Sequence, residues 1–165
     1  MRYLDFNKIL VPVDFSDASF AAVDAALELV KTPSQVTVLH VLPILTEFEI
    51  GFDILPDNEL ERRKLATNEL RKRLRSRKYS GIEIRAIVGE AVQQIVNIAE
   101  KEGTTLIVMP SHGRTGFSRF MLGSVAERVL RLAHCPVLIL KHVTKEGESD
   151  EITRALQASA KRGGD

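Results

Sequence analysis

Short apolar runs alternate along the chain with stretches in which apolar residues recur every three or four positions. That alternation predicts strands and helices in turn. Lys8-Ile9-Leu10-Val11-Pro12-Val13 is apolar after its first residue, as a strand covered on both faces is. Pro12 argues against a long central strand and fits a place where ladder pairing is ending. Ser16 or Asp17 is then set to cap a helix carrying Ala18, Ala21, Ala22, Ala25, Ala26 and Leu29, which Lys31-Thr32-Pro33-Ser34 stops. Val36 to Leu42 is the second strand. Gly81 to Val88 alternates and is the third, and Gly89-Glu90 opens a helix with Val92, Ile95, Val96 and Ala99 on one face, ended by Glu102-Gly103. Thr105-Leu106-Ile107-Val108 is a fourth, buried strand. Val125, Val129, Leu132 and Ala133 mark the last helix, and Pro136 to Leu140 the fifth strand.

Residues 43–57 make a long connection that is unusually apolar for a solvated loop, with Ile44, Leu45, Phe48, Ile50, Phe52, Ile54 and Leu55. Such a segment is expected to pack on the domain, on a partner or over a site. Asp57 is expected to cap the following helix, with Glu59 and Glu61 in its first turn and Leu60, Thr67, Leu70 and Leu74 at helical spacing. The chain beyond Lys141 turns polar and ends Gly163-Gly164-Asp165. A weak helix over Ile152 to Ala160 is conceivable, but residues 144–165 are expected to be a flexible tail and residues 1–143 one domain.

Strands interleaved with helices predict an α/β three-layer sandwich: a five-stranded, mostly parallel sheet with helices on both faces. Ligands of such sheets bind beyond the carboxyl ends of the strands, where strand order reverses. Val13-Asp14, Val41, Val88-Gly89 and Met109-Pro110 stand at those ends.

Composition narrows the choice. The 165 residues suffice for one domain with a sizeable core, and 44% hydrophobic with 27% charged residues is ordinary for a globular protein. A formal net charge of +1 gives no field that selects nucleic acid or a membrane. Arg62 to Lys64 and Arg71 to Lys78 are rich in cations, but a charge run on a helix is first a solvated face. A single cysteine, Cys135, excludes an intrachain disulfide and suits a reducing compartment. Met1 to Phe6 lacks a signal-peptide apolar region, and no apolar run is long enough to span a bilayer, so a cytoplasmic location is expected.

The chemistry concentrates in Met109-Pro110-Ser111-His112-Gly113-Arg114-Thr115-Gly116, followed after Phe117 to Leu122 by Gly123-Ser124. A strand, a glycine-bearing loop and a helix N-terminus together make a phosphate-holding arrangement, because backbone N–H groups and the helix dipole both favour an anion. Ile9-Leu10-Val11-Pro12-Val13-Asp14-Phe15-Ser16, Leu39-His40-Val41, the Ser111-to-Ser124 stretch and Cys135-Pro136-Val137-Leu138 occur in one order over roughly residues 6–142. In that order they resemble the universal stress protein family.

The resemblance implies a sheet in the order 3-2-1-4-5 and binding of ATP or a related adenine nucleotide. The family's nucleotide-binding pattern is glycine, two residues, glycine, nine residues, then Gly-Ser/Thr. Gly113 and Gly123-Ser124 match it, and Pro110 stands at the first glycine. Carried over, the nucleotide-binding residues are Pro12, Val13, Asp14, Val41, Met109, Ser111, His112, Gly113, Arg114, Gly123, Ser124 and Val125. Val13 and Val41 flank the adenine, Asp14 helps to hold a magnesium ion, and the glycine loop with the helix N-terminus wraps the phosphates. The family resemblance also implies a homodimer through Val137 to Leu140, an apolar strand at a sheet edge, where pairing with another chain is favoured. Signalling then passes to a protein partner. With Pro110 in place, a protein of the same fold that binds no nucleotide and works through protein–protein contact is the alternative.

Several residues carry more than one reading. Ser124-Val125-Ala126-Glu127 fits a capping box, so the Ser124 hydroxyl either caps a helix or serves a phosphate. Asp14 closes a turn or faces the ligand, and Arg114 is a phosphate contact or a solvated loop cation. His112, Ser124 and Asp14 do not make a triad without a Gly-x-Ser-x-Gly elbow. Gly-x-x-x-x-Gly-Lys-Ser/Thr is absent, as is Gly-x-Gly-x-x-Gly after the first strand. His134-Cys135 lacks partners at metal-ligand spacing, so no structural metal is expected. A binding module is therefore expected, with slow ATP hydrolysis or autophosphorylation the most that the residues offer.

Overall fold

The computed structural model describes residues 6–45, 58–111 and 122–141. The tail, the loop residues 112–121 and most of the apolar connection lie outside the described residues. Five strands, β1 (Ile9–Pro12), β2 (Val36–Leu42), β3 (Glu83–Val88), β4 (Leu106–Pro110) and β5 (Val137–Leu140), form one sheet in the order β3-β2-β1-β4-β5. Every pairing is parallel. The helices are α1 (Asp17–Glu28), α2 (Glu59–Arg73), α3 (Ala91–Lys101) and α4 (Ser124–Leu132).

Strand alternation divides the core in two. Ile9, Val11, Val36, Val38, Leu106 and Val108 point to one face, where Val23 and Ala26 of α1 and Leu70 of α2 cover them. Leu10, Leu39, Ile107 and Met109 point to the other, under Val92 and Ile95 of α3 and Ala126 and Val129 of α4. All are buried. The three layers expected from the sequence are thus present, each face closed by two helices.

Helix ends follow local chemistry. Ser16 caps α1, its side chain accepting from the Ser19 N–H. Asn58, not Asp57, caps α2, its side chain accepting from Leu60 N at 2.9 Å. After α3, Gly103 takes a left-handed φ of 65°. Its N–H donates to Glu100 O, and Thr104 N–H reaches Ala99 O at 2.8 Å, which completes a Schellman stop. The basic face of α2 is exposed as expected except at Arg62, which is buried and donates from Nη2 to Pro43 O at 2.8 Å. β4 runs two residues beyond Val108, because Met109 and Pro110 stay in register with Ile139 and Leu140.

Glu102, at the end of α3, gathers Lys8 at 3.1 Å and also meets Arg85 of β3. Burial works against its charge, yet the hydrogen bonds from Lys8 and Arg85 outweigh it and hold the carboxyl below its ordinary value. A carboxylate depressed in the folded state contributes stability above its unfolded pKa of about 4.3, and that contribution disappears as pH falls through the folded value. Glu102→Gln is therefore expected to cost about 1 kcal/mol at neutral pH and progressively less as pH falls below about 4, read by urea denaturation across that range.

Candidate functional site

A cavity of about 290 Å³ opens at the carboxyl ends of β1 and β4, where strand order reverses. Two prolines end the ladder at its floor. β1 and β4 pair only at Ile9↔Leu106 and Leu10↔Ile107. Val13 N–H donates to Leu39 O on β2 and Ser111 N–H to Leu140 O on β5. By alternation, residues 12 and 110 turn their backbone groups toward the β1–β4 seam. The next ladder step needs an N–H at residue 12 for Val108 O and an N–H at residue 110 for Pro12 O. Both residues are proline and supply neither. The seam ends there, and the Pro12 carbonyl is left facing the cavity without a ladder donor.

Pro12, Val13 and Asp14 of the β1 end line this cavity, with Val41 from β2 and Met109 and Ser111 from the β4 end. Gly123, Ser124 and Val125 close it from the start of α4. The structure thus brings nine of the twelve sequence-predicted residues together; His112, Gly113 and Arg114 lie outside the described residues. Pro110 lines it as well. Among the described residues Phe15 is the one non-glycine at positive φ, so residue 110 needs no glycine backbone conformation.

The start of α4 corrects one expectation. Gly123 is the N-cap and offers no side-chain acceptor, which places Ser124 inside the helix and rules out the capping box. The Ser124 hydroxyl is not consumed as a cap, and the first-turn amides meet no capping side chain. Gly123 N–H donates to Ser111 O at 2.7 Å, so the end of β4 and the start of α4 are clasped. Beside the site, Glu90 caps α3 by accepting from Gln93 N–H at 2.8 Å and pairs with Arg128 of α4 at 3.0 Å. The Gln93 amide, helped by Arg128, holds the Glu90 carboxyl below its ordinary value against desolvation. That pair ties together the two helices flanking the site.

Asp14 sits in a tight polar turn. Its Oδ1 accepts from the Ser16 N–H at 3.1 Å and the Ser16 hydroxyl at 2.5 Å. Asp14 thus closes a turn and also lines the cavity, where it is the one carboxylate among the described lining residues. Among those residues no group of three or more His, Cys, Asp or Glu could hold a metal. Cys135 is half-buried and burial raises its thiol pKa, as suits a packed residue.

Sequence reasoning gave no role to His40. Its Nδ1–H donates to Val13 O at 2.8 Å, fixing the end of β1. Its ring meets Phe15 edge-on at 4.6 Å, and Phe15 holds a φ of 66°. A left-handed phenylalanine costs about 1–2 kcal/mol, which the contacts with His40 and Phe20 offset. A polar ring in the otherwise apolar run Val36 to Leu42 was the available signal. Leu39, Ala91 and Ile95 also line the cavity, and these read from sequence as core.

The universal stress protein family model matches residues 5–141. The chain belongs to the universal stress protein family. The universal stress protein YxiE of Bacillus subtilis is 36% identical over 147 residues, covering 82% of this chain and 99% of that one. The solved structure of MJ0577 from Methanocaldococcus jannaschii has a TM-score of 0.66 at 33% identity, covering 85% of this chain and 99% of that one. A universal stress protein solved in complex with cAMP has a TM-score of 0.59 at 26% identity, covering 84% and 98%. Within this universal stress protein, the proline pair makes a direct prediction. In Pro110→Val the new amide should donate to Pro12 O, protect itself from hydrogen exchange and add about 1 kcal/mol of stability. An amide that exchanges as fast as an exposed one would contradict the ladder assignment.

Proposed function

We propose that this universal stress protein binds ATP or a related adenine nucleotide in the seam cavity and acts as a dimeric stress-response module, cytoplasmic and coupled to a protein partner. The observation that carries this is the cavity itself, which has apolar walls and a backbone acceptor at one end and a helix N-terminus at the other. Leu39, Val41, Ile95 and Met109 offer flat apolar surface to a base, and the Pro12 carbonyl suits an exocyclic amino group. The Ser124 hydroxyl and the first-turn amides of α4 suit phosphate oxygens. His112, Gly113 and Arg114 complete the phosphate side in this reading. Asp14 alone would be a sparse magnesium site, so a magnesium ion there would take most of its ligands from the nucleotide and water. The cAMP complex of a relative supports the adenine-nucleotide class. No helix among the described residues is long and apolar enough to cross a membrane. Residues 1–143 act as the binding domain in this proposal, and 144–165 as a flexible tail.

Dimerisation through Val137 to Leu140 is supported by the position of β5 at a sheet edge, with Leu138 37% exposed. Nearby on α4, Leu130 and Leu132 are also exposed.

Calorimetric titration with ATP and magnesium, and separately with cAMP, tests the binding. Saturation near one nucleotide per chain is expected, with affinity lower by about tenfold or more in Gly123→Val, whose side chain meets the phosphates. Unchanged affinity in a folded Gly123→Val would refute the site. Absence of heat with either ligand, after removal of any co-purified nucleotide, would favour the same fold working by protein contact alone. For the dimer, Leu138→Lys is expected to sediment as a monomer with an unchanged circular dichroism spectrum; a persistent dimer would place the interface elsewhere.

A further inference from the structure

The sheet's other edge carries a second surface, unconnected with the nucleotide cavity. β3 is the outermost strand there. Gly89 N–H donates to Leu42 O of β2, so by alternation Ile84, Ala86 and Val88 turn their backbone groups outward. Between this edge and α2 runs an open groove of about 560 Å³, with Ile84 in its wall and Leu60, 55% exposed, at one end. Its charged lining is Arg63, Lys64, Arg71 and Arg85, with no carboxylate among the described lining residues.

Those four cations are not equivalent. Arg85 is held by Glu83 at 2.6 Å and by Glu102. Arg63 donates from Nε to the outward Ala86 carbonyl at 2.9 Å, with Glu59 at 3.9 Å. Among the described residues Lys64 and Arg71 enter no ion pair. They stand two helical turns apart on one face, about 10.5 Å along the axis, within side-chain reach of same-face residues two to four apart on an extended chain, about 7–14 Å.

We infer that this groove docks an extended acidic peptide segment of a partner protein, added as a strand to the β3 edge. The edge supplies backbone donors and acceptors, and Ile84 and Leu60 supply apolar contact on the side that faces α2. Lys64 and Arg71 then meet carboxylates on the side of the segment that faces α2. Arg63 acts as a placeholder: a peptide N–H takes over Ala86 O, and the freed guanidinium pairs with a further carboxylate of the segment. Nucleic acid fits less well, because no aromatic ring is among the described lining residues for base stacking, and the field of the two cations outside any described ion pair is small.

The test uses the full chain and a fluorescein-labelled peptide of about nine residues alternating glutamate and threonine, followed by fluorescence anisotropy. Saturable binding is expected, weakened by about tenfold or more in the Lys64→Glu, Arg71→Glu double variant and by raising salt to about 0.3 M. N-methylation of alternate peptide amides along one edge should weaken it similarly, since strand addition needs those donors. A lysine–threonine peptide should not bind. Wild-type affinity in the folded double variant would overturn the groove assignment, and indifference to N-methylation would overturn strand addition. Tighter binding of single-stranded oligothymidylate than of the acidic peptide would overturn the choice of partner. Each readout is independent of nucleotide binding.

Discussion

Two missing hydrogen-bond donors organise this molecule. Pro12 and Pro110 face each other across the β1–β4 seam, and neither can continue the ladder that Ile9 and Leu10 begin with Leu106 and Ile107. On their outer sides the same strands stay paired, β1 with β2 through Pro12↔Leu39 and β4 with β5 through Pro110↔Leu140. The sheet is therefore intact everywhere except along one line, at the point where crossover connections turn in opposite directions. The reversal of strand order opens a cleft there, and the two prolines keep the ladder from closing its floor.

The surroundings then fix its shape. His40 pins the carbonyl of Val13, and Phe15 folds back on the His40 ring in a conformation that phenylalanine seldom adopts. On the far side, Glu90 and Arg128 join α3 to α4 beside the site. Strain at Phe15 is local, and its compensation comes from ring contacts that also position the strand end. That is how a tight turn can be kept rigid without glycine.

Much of this was legible in the chain. Strand order, layers and the gathering of nine of the twelve candidate residues at one cavity were anticipated from apolar periodicity and from the resemblance in the loop and strand-end residues. The failures share a cause. Asn58 displaced Asp57 as a cap, and Gly123 displaced Ser124, because a cap is decided by backbone dihedrals at one residue, to which composition is blind. His40, quoted only as part of Leu39-His40-Val41, was given no role because its partner, Val13, lies 27 positions away and is engaged through a main-chain carbonyl. Arg62 looked like part of a solvated face for a similar reason: its acceptor, the Pro43 carbonyl, belongs to a different connection.

The clasp between Ser111 O and Gly123 N–H has an evolutionary side. It closes the base of the intervening segment independently of what that segment contains. For a closed loop, each doubling in length costs only about 0.6 kcal/mol of chain entropy. The segment can therefore lengthen, shorten or change sequence while β4 and α4 remain in register around the cleft. Relatives could diversify what they recognise here by editing one stretch of chain, and a protein engineer could graft a new recognition loop at the same two residues without rebuilding the sheet.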